Sequence, residues 1–456
     1  MNKYLTTSLL SSVCVSVLLQ GCGGSSSSPS TPTEPVEYTF SLNAQLTNDC
    51  GVSTAFTEVE LLLQDDTWQT LNSYTADENG LISFVTESEF INYTLIAKDQ
   101  QDSEVEGLNI VSFYQASSET PAYYQAQFDE DINNSTCDCI TQDLEVEHRS
   151  FAAQSSVTSS LTFDDWEATN TTTTLFKGVE LCRIMDGSWP LHSVSVTGID
   201  SNGKAIASAG FIDGNTGDFS ANDDELWQTY ASEVADEVEL NDSHQELSTN
   251  QVIGDIKHFS ALIAEDVDSI LVFDTHSYIS EAFYQAQASV TFDDVSYSSL
   301  FGSVAINTYH QVISTDAQES LAVEASEQQP DFNYPIFDEI NADGSYDYSA
   351  AASDYPMAII AFTFTAYDPD TRLLMPAKWT FYGPESGTLA FSAPLTGYED
   401  IIDFDTDIKT TKVELINSDI SNDYDDYIKY YQGNNVLDIT DVFVRDIEKS
   451  ELILEF

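Results

Sequence analysis

Four cysteines in the body of the chain, Cys50, Cys137, Cys139 and Cys182, are the residues with the most definite chemistry. In an oxidising compartment an even number of thiols pairs into disulfides. Cys137-Asp138-Cys139 also leaves metal or redox use open, although zinc and dithiol sites favour two residues between the sulfurs. In a strand, Cys137 and Cys139 point to the same face, ~6.6–6.8 Å apart, with parallel Cβ directions. A disulfide needs converging Cβ atoms and ~5.5–6 Å between Cα atoms. The two are therefore expected to reach separately to Cys50 and Cys182, in an order the sequence does not decide.

Carboxylates are far more abundant. The chain has 77 Asp and Glu against 14 Lys and Arg, for a formal net charge of −63. Such a chain repels nucleic acid and anionic lipid, which removes both from the expected partners. With so many acids, pairs suited to glycoside hydrolysis arise by chance and single out no residue. Two clusters carry more: Asp213-Gly-Asn215-Thr-Gly-Asp218 and Glu339-Ile-Asn341-Ala-Asp343-Gly344-Ser-Tyr-Asp347. Each sets oxygen donors at alternate positions around a Gly turn, and calcium takes six to eight oxygens. The second resembles the front of an EF-hand loop, without its first Asp and with Ala350 where its last Glu would stand. The competing reading of both is an Asx/Gly turn. Calcium is the one cofactor suggested. His148, His192, His244, His258, His276 and His310 stand singly, and no zinc-protease, Gly-x-Ser-x-Gly or phosphate-loop pattern occurs.

The chain begins Met1-Asn2-Lys3, and an apolar stretch runs from Leu9 to Leu19. It is shorter than the ~20 residues of a permanent membrane helix and reads as the core of a signal peptide. It ends Leu18-Leu19-Gln20-Gly21-Cys22, which resembles the lipobox of bacterial lipoproteins in Leu19, Gly21 and Cys22. Gln20 is less usual there, and the competing reading is a secretory signal with a chance cysteine. The resemblance implies cleavage before Cys22, acylation of Cys22 and membrane anchoring through that lipid. Gly23, where the inner-membrane retention signal carries Asp, implies sorting to the outer membrane. Gly, Ser, Thr and Pro then run to Pro35, a composition that forms a tether.

Beyond the tether, short alternating runs separated by turns predict antiparallel strands. Ser193–Thr197 and Ala205–Phe211 flank Asn202-Gly203, the strongest local hairpin signal. Ile360, Phe362 and Phe364 lead to Pro369-Asp370, and Leu373–Phe381 returns; Leu452, Leu454 and Phe456 alternate at the end. Three helices are expected. Asn222 with Glu225 forms a capping box before Leu226, Trp227, Tyr230, Ala231, Val234, Ala235 and Val238. Asp316 with Glu319 starts a second; Tyr424, Tyr427, Ile428 and Tyr431, closed by Gly433, form a third.

Residues 38–100 hold Val59, Leu61 and Leu63 in alternation, then Thr75-Ala76-Asp77-Glu78-Asn79-Gly80 before Phe84, then Tyr93, Leu95 and Ala97. This resembles the carboxypeptidase regulatory-like, transthyretin-like β-sandwich modules, in Asp77, Gly80 and Phe84; Ala76 departs from their tightest form. The resemblance implies a module that scaffolds or binds and holds no catalytic residues. A repeat follows: Asn109–Phe113 with Ala122–Gln127 matches Ser269–Phe273 with Ala282–Gln287 at an offset of 160. Shared β-hairpin vocabulary would give a weaker version of the same likeness.

The sequence thus predicts a mainly β protein of several antiparallel β-sandwich domains with a few short helices. Residues 1–21 form the signal, 22–36 the tether and 37–104 the sandwich module; 105–265 and 266–456 hold the two repeat copies, the second with the C-terminal strands. The expected role is binding, adhesion or scaffolding at the bacterial envelope, with polysaccharide or another envelope protein as partner. The alternative is a cell-surface hydrolase acting on polysaccharide or peptide. Two facing carboxylates of split pKa in a Trp- or Tyr-lined pocket would favour it.

Overall fold

The computed structural model describes residues 36–456 except 49, 51, 100–106, 128–136, 186, 214–226, 245, 254–255, 262–266, 274–278, 293–301, 316–322, 333–343, 352–354, 369–372, 391–392, 400, 403–405, 407 and 435–441. Residues 1–35, with the signal and Cys22, and the expected helix at Asp316 lie outside the described residues.

Eight strands open the fold: β1 (Tyr38–Thr47), β2 (Ser53–Ala55), β3 (Val59–Gln64), β4 (Thr70–Thr75), β5 (Leu81–Thr86), β6 (Phe90–Asp99), β7 (Gly107–Ser117) and β8 (Ala122–Gln127). β2, β5 and β8 pair with β1, the last in parallel, and β4-β3-β6-β7 run side by side in a second sheet. Phe40, Leu42, Ile82, Phe84, Tyr93, Leu95 and Tyr124 share the core of this sandwich. The features that carried the module resemblance have structural work. Asp77 Oδ1 accepts from the N–H groups of Asn79 (2.8 Å) and Leu81 (3.0 Å). Gly80 has φ +76°, and a Cβ there would lie 2.2 Å from the Ala44 carbonyl oxygen. Phe84 stacks on Tyr74 at 4.3 Å and on Phe40 at 5.0 Å.

The Asp77 loop occurs three times. Asp65 accepts from the N–H of Thr67 and Gln69, and Asp200 from Asn202 and Lys204. The left-handed position is held by Gly80, by Gly203 and by Trp68 (φ +61°). All three carboxyls lie below the usual range, through the Thr67 hydroxyl in Asp65, the Leu81 N–H in Asp77 and the Lys204 N–H in Asp200. A carboxyl depressed in the folded state stabilises above its unfolded pKa, and that stability fades as pH falls through the folded value. Because these groups are exposed, their share is modest, and the melting temperature should fall by a small amount on their account as pH drops below about 4. Asp77→Asn, which keeps an acceptor but no charge, should flatten the drop; an unchanged slope would exclude this loop as a source.

The middle of the chain supplies β9 (Cys137–His148), β10 (Ala153–Ser159), β11 (Asp165–Asn170), β12 (Thr173–Ile184), β13 (Leu191–Ile199), β14 (Ala205–Asp213), β15 (Trp227–Ala231), β16 (Glu233–Val234), β17 (Asp236–His244), β18 (Glu246–Ile253), β19 (Ile256–Ala261) and β20 (Val267–Val272). They form sheets β11-β12-β9-β15, β10-β13-β14-β16 and β17-β20, while β18 and β19 join a larger sheet. The Asn202-Gly203 hairpin is β13–β14, paired from Leu191↔Asp213 to Ile199↔Ala205. The helix expected from Asn222 is corrected to strand over its described part. Trp227–Ala231 pairs in parallel with Leu144–His148, and Glu233–Val234 pairs with Ser208–Ala209. Its supposed apolar face is split: Ala231 and Ala235 are buried, Tyr230 and Val234 exposed. Tertiary strand pairing outweighs the modest helix propensity of Trp, Thr, Tyr and Val.

The rest gives β21 (Ile279–Phe292), β22 (Ser303–Ser314), β23 (Ser345–Asp347), β24 (Met357–Tyr367), β25 (Leu374–Gly383), β26 (Ser386–Thr388), β27 (Ile408–Asn417), α1 (Tyr424–Gly433) and β28 (Asp446–Glu455). A twelve-stranded sheet runs β19-β18-β21-β22-β28-β27-β24-β25-β7-β6-β3-β4. It draws strands from all three of the expected folded segments, and Glu37–Phe456 holds together as one unit. One face buries Ile360, Phe362, Phe364, Trp379, Phe381, Val413, Leu415, Leu452 and Leu454. Phe456 is exposed, where the alternation ends. α1 is the expected third helix, capped by Asp423, whose side chain accepts from Asp425 N; it buries Tyr427 and Ile428. The repeat landmarks pair differently: β7 and β8 lie in opposed sheets of the sandwich, whereas β20 pairs with β17 and β21 sits inside the large sheet. Among the described residues, three parallel pairings, β1–β8, β9–β15 and β7–β25, make the sheets mixed rather than purely antiparallel.

Candidate functional site

The cysteines pair as Cys50–Cys137 and Cys139–Cys182, with Cα atoms 5.8 and 4.1 Å apart. Cys137 and Cys139 do not bond to each other, and all four sulfurs are consumed. The open pairing is thereby settled, and with both disulfides formed these positions offer no free thiol as a metal ligand.

Of the expected calcium ligands, Asn215, Asp218, Glu339, Asn341 and Asp343 lie outside the described residues. Asp213 ends β14, half-buried. Asp347, in β23, accepts from the Ser349 hydroxyl (2.6 Å) and N–H (3.0 Å), which hold its carboxyl below the usual range. That geometry is a local turn around Asp347.

Three histidines have described side chains. His148 is satisfied by the Arg149 carbonyl and the Thr174 hydroxyl. His310 Nδ1 accepts the Glu324 N–H and Nε2 lies 3.1 Å from Asp446 Oδ1, so neither nitrogen is left to activate a serine. His192 Nδ1 lies 3.3 Å from Ser160 Oγ, and burial pushes its pKa down to about 4. A serine base needs its second nitrogen held by an orienting group. His192 Nε2 is buried and has no partner among the described residues. Trp68 and Trp379 are core residues, and Trp166 and Trp189 pack half-buried on the core of the middle sheets. None of these four lines a described cleft.

Two cavities that combine polar and aromatic groups open on one face of the large sheet. Register places them there. Phe113, Tyr382, Ile359, Glu414, Glu451 and Asn307 form one row across β7, β25, β24, β27, β28 and β22, so their side chains leave the same side. The inner cavity, about 290 Å³, has Asn109, Lys378 and Tyr382 on its floor and Tyr123, Tyr124, Tyr430 and Tyr431 as walls. The outer one, about 360 Å³, is lined by Gln285, Gln287, Tyr309, Gln311, Glu414, Lys449 and Glu451.

The outer cavity is a fixed polar lattice. Lys412 Nζ lies 2.7 Å from Glu451 and 3.2 Å from Glu414. Glu451 Oε2 accepts from Asn307 Nδ2 (2.9 Å) and Tyr309 OH (3.2 Å). Gln285 donates to Gln311 Oε1 (3.2 Å), and Gln311 donates to the Val444 carbonyl (3.3 Å). Burial raises the Glu451 pKa, but Lys412, Asn307 and Tyr309 outweigh it and hold the carboxyl below its usual range. Burial lowers the Lys412 pKa, and its two carboxylate partners reverse that to a net rise. Glu414 and Glu451 are thus a lysine-bridged pair. A general acid for glycoside hydrolysis needs the opposite, one carboxyl raised and protonated. Gln285 and Gln287 lie in the second repeat copy, read from sequence as strand, and none of these residues was read as functional. The available signal was polar alternation, Gln285 with Gln287 and Lys412 with Glu414, on strands whose other face is apolar.

No protein-family model matches the chain. No curated protein matches it. Among solved structures, it matches a variant of BcpA, the major pilin subunit of Bacillus cereus, over 63% of this chain and 94% of that one, at 8% identity and a TM-score of 0.15. A likeness at that score carries no argument about fold or role. The chain is, on its own strands, a mainly β protein with a β-sandwich at its N-terminal end. No helix among the described residues is long and apolar enough to cross a membrane.

Proposed function

We propose that the chain is a lipid-anchored envelope protein that binds polysaccharide on the polar face of β21, β22, β27 and β28. The observation that carries this reading is the outer lattice. It combines planar amides, a phenol, carboxylates and ammonium groups, fixed by neighbouring strands and opening on a cavity of about 360 Å³. Sugars present hydroxyls that donate and accept together, and rigidly placed paired groups recognise them without being reordered. Glu451, whose carboxyl is held below its usual range by Lys412, Asn307 and Tyr309, favours binding over hydrolysis. The anchor rests on Leu19, Gly21 and Cys22, and the Gly/Ser/Pro tether would hold the face clear of the membrane.

Affinity electrophoresis in gels carrying neutral or acidic polysaccharides tests the binding face. Tyr309→Ala with Gln311→Ala should weaken retardation by roughly tenfold, the equivalent of one lost polar contact set of ~1.4 kcal/mol. Retardation unchanged in the double variant would remove this face from the reading. Cys22→Ala should abolish palmitate labelling and release the protein from membranes; equal labelling of that variant would remove the lipid anchor.

A further inference from the structure

We propose that Lys378 and Asn109 are joined by an intramolecular isopeptide bond, with Asp99 relaying the protons that form it. Lys378 and Asn109 are directly paired on the parallel strands β25 and β7. Paired positions send side chains to one face about 4.8 Å apart, and both residues line the inner cavity. Asn109 and Asp99 are 6% and 5% exposed. The amide of Asn109 meets one oxygen of Asp99, and the other oxygen accepts Tyr124 OH at 2.5 Å. Gly107, the partner of Asp99 on β7, keeps the strands close: a Cβ there would lie 2.8 Å from the Pro376 carbonyl oxygen. An amine, a carboxamide and a nearly buried carboxyl thus stand side by side under a roof of tyrosines.

The reaction balances without a co-reactant. The Lys378 ammonium passes one proton to Asp99. The Asn109 amide turns over within the same space, the two orientations being nearly isosteric, and its Oδ1 takes a hydrogen bond from the Asp99 acid. The amine nitrogen attacks Asn109 Cγ, a C–N bond forms, and the bond from Cγ to the amide nitrogen breaks. Ammonia leaves with the second amine proton and takes the proton from Asp99, so ammonium departs and the carboxylate is restored. Nothing is oxidised or reduced.

The position gives the bond a purpose. Among the described residues, β7–β25 is the strand pairing that joins the N-terminal sandwich to the C-terminal strands. A covalent link there would let tension entering at the N-terminal end pass to the C-terminal strands without peeling the sheet apart.

Peptide mapping of the full-length, reduced and denatured protein decides the matter. The expected result is a branched peptide containing Asn109 and Lys378, lighter than the two separate peptides by one ammonia. Separate peptides with both side chains intact, recovered from folded protein, overturn the proposal, as does an ammonia loss mapped to another pair. Lys378→Arg should abolish the branched peptide. Asp99→Asn should slow its formation by roughly a hundredfold, the usual scale of a positioned acid–base group. Formation at the wild-type rate in a folded Asp99→Asn variant would overturn the relay.

Discussion

Trp68→Ala is expected to destabilise the folded chain by about 3–5 kcal/mol, the usual range for removing a fully buried tryptophan, and Trp68→Gly by about 1 kcal/mol less. Trp68 is wholly buried although it lies in a hairpin loop. Its ring packs 5.6 Å from Phe381 and 6.2 Å from Tyr114, and its Nε1–H donates to the Thr388 carbonyl at 2.8 Å. It therefore fastens the edge hairpin β3–β4 to β26, some 320 residues away in sequence. It does so from φ +61°, where Gly80 and Gly203 stand in the two equivalent loops. A side chain in that conformation costs roughly 1–2 kcal/mol that glycine does not incur. Alanine loses the ring and keeps the strain; glycine loses the ring and the strain together. Urea unfolding of the three proteins measures both quantities. Equal losses in the two variants would mean that the loop relaxes and stores no strain at Trp68.

Local structure was legible where one residue decides it. Asn202-Gly203 fixed its hairpin, and Asp77-x-x-Gly80 its loop, because a left-handed position admits few residues. Trp68 escaped notice for the same reason in reverse: its conformation comes from burial against Phe381 and Tyr114, which sequence spacing does not reveal. The segment from Trp227 to Val238 has a helical repeat of apolar residues, yet its partners are Leu144–His148, Ser208–Ala209 and, from Asp236 on, Ile270–Val272. Those pairings depend on contacts more than 80 residues apart for β15 and about 25 apart for β16. The twelve-stranded sheet was hidden for the same cause. Its central joint, Ala377↔Leu108 through Tyr382↔Phe113, brings together strands about 270 residues apart. The polar lattice depends on that assembly. Tyr309, Gln311, Glu414 and Glu451 come from three strands and become neighbours only through sheet register.

Cys50→Ser with Cys137→Ser should lower stability by about 4–5 kcal/mol and divide one unfolding transition into two. In the chain-entropy model a bridge across 87 residues restrains the unfolded chain by about that amount. The bridge across 43 residues is worth roughly 0.6 kcal/mol less. The two differ more in what they hold. Cys139 and Cys182 are opposite each other in the β9–β12 ladder, which continues from Thr173↔Glu147 to Ile184↔Cys137 without needing the sulfurs. Cys50 lies in the β1–β2 connection and Cys137 at the start of β9. No strand pairing among the described residues links β1–β8 with the β9–β12 ladder. Removing the first bridge should therefore uncouple the sandwich from the middle sheets, and removing the second should only lower a shared transition. Calorimetry on both double variants separates the cases. A single cooperative transition in Cys50→Ser/Cys137→Ser would show that side-chain packing alone, without that bridge, makes the two regions unfold together.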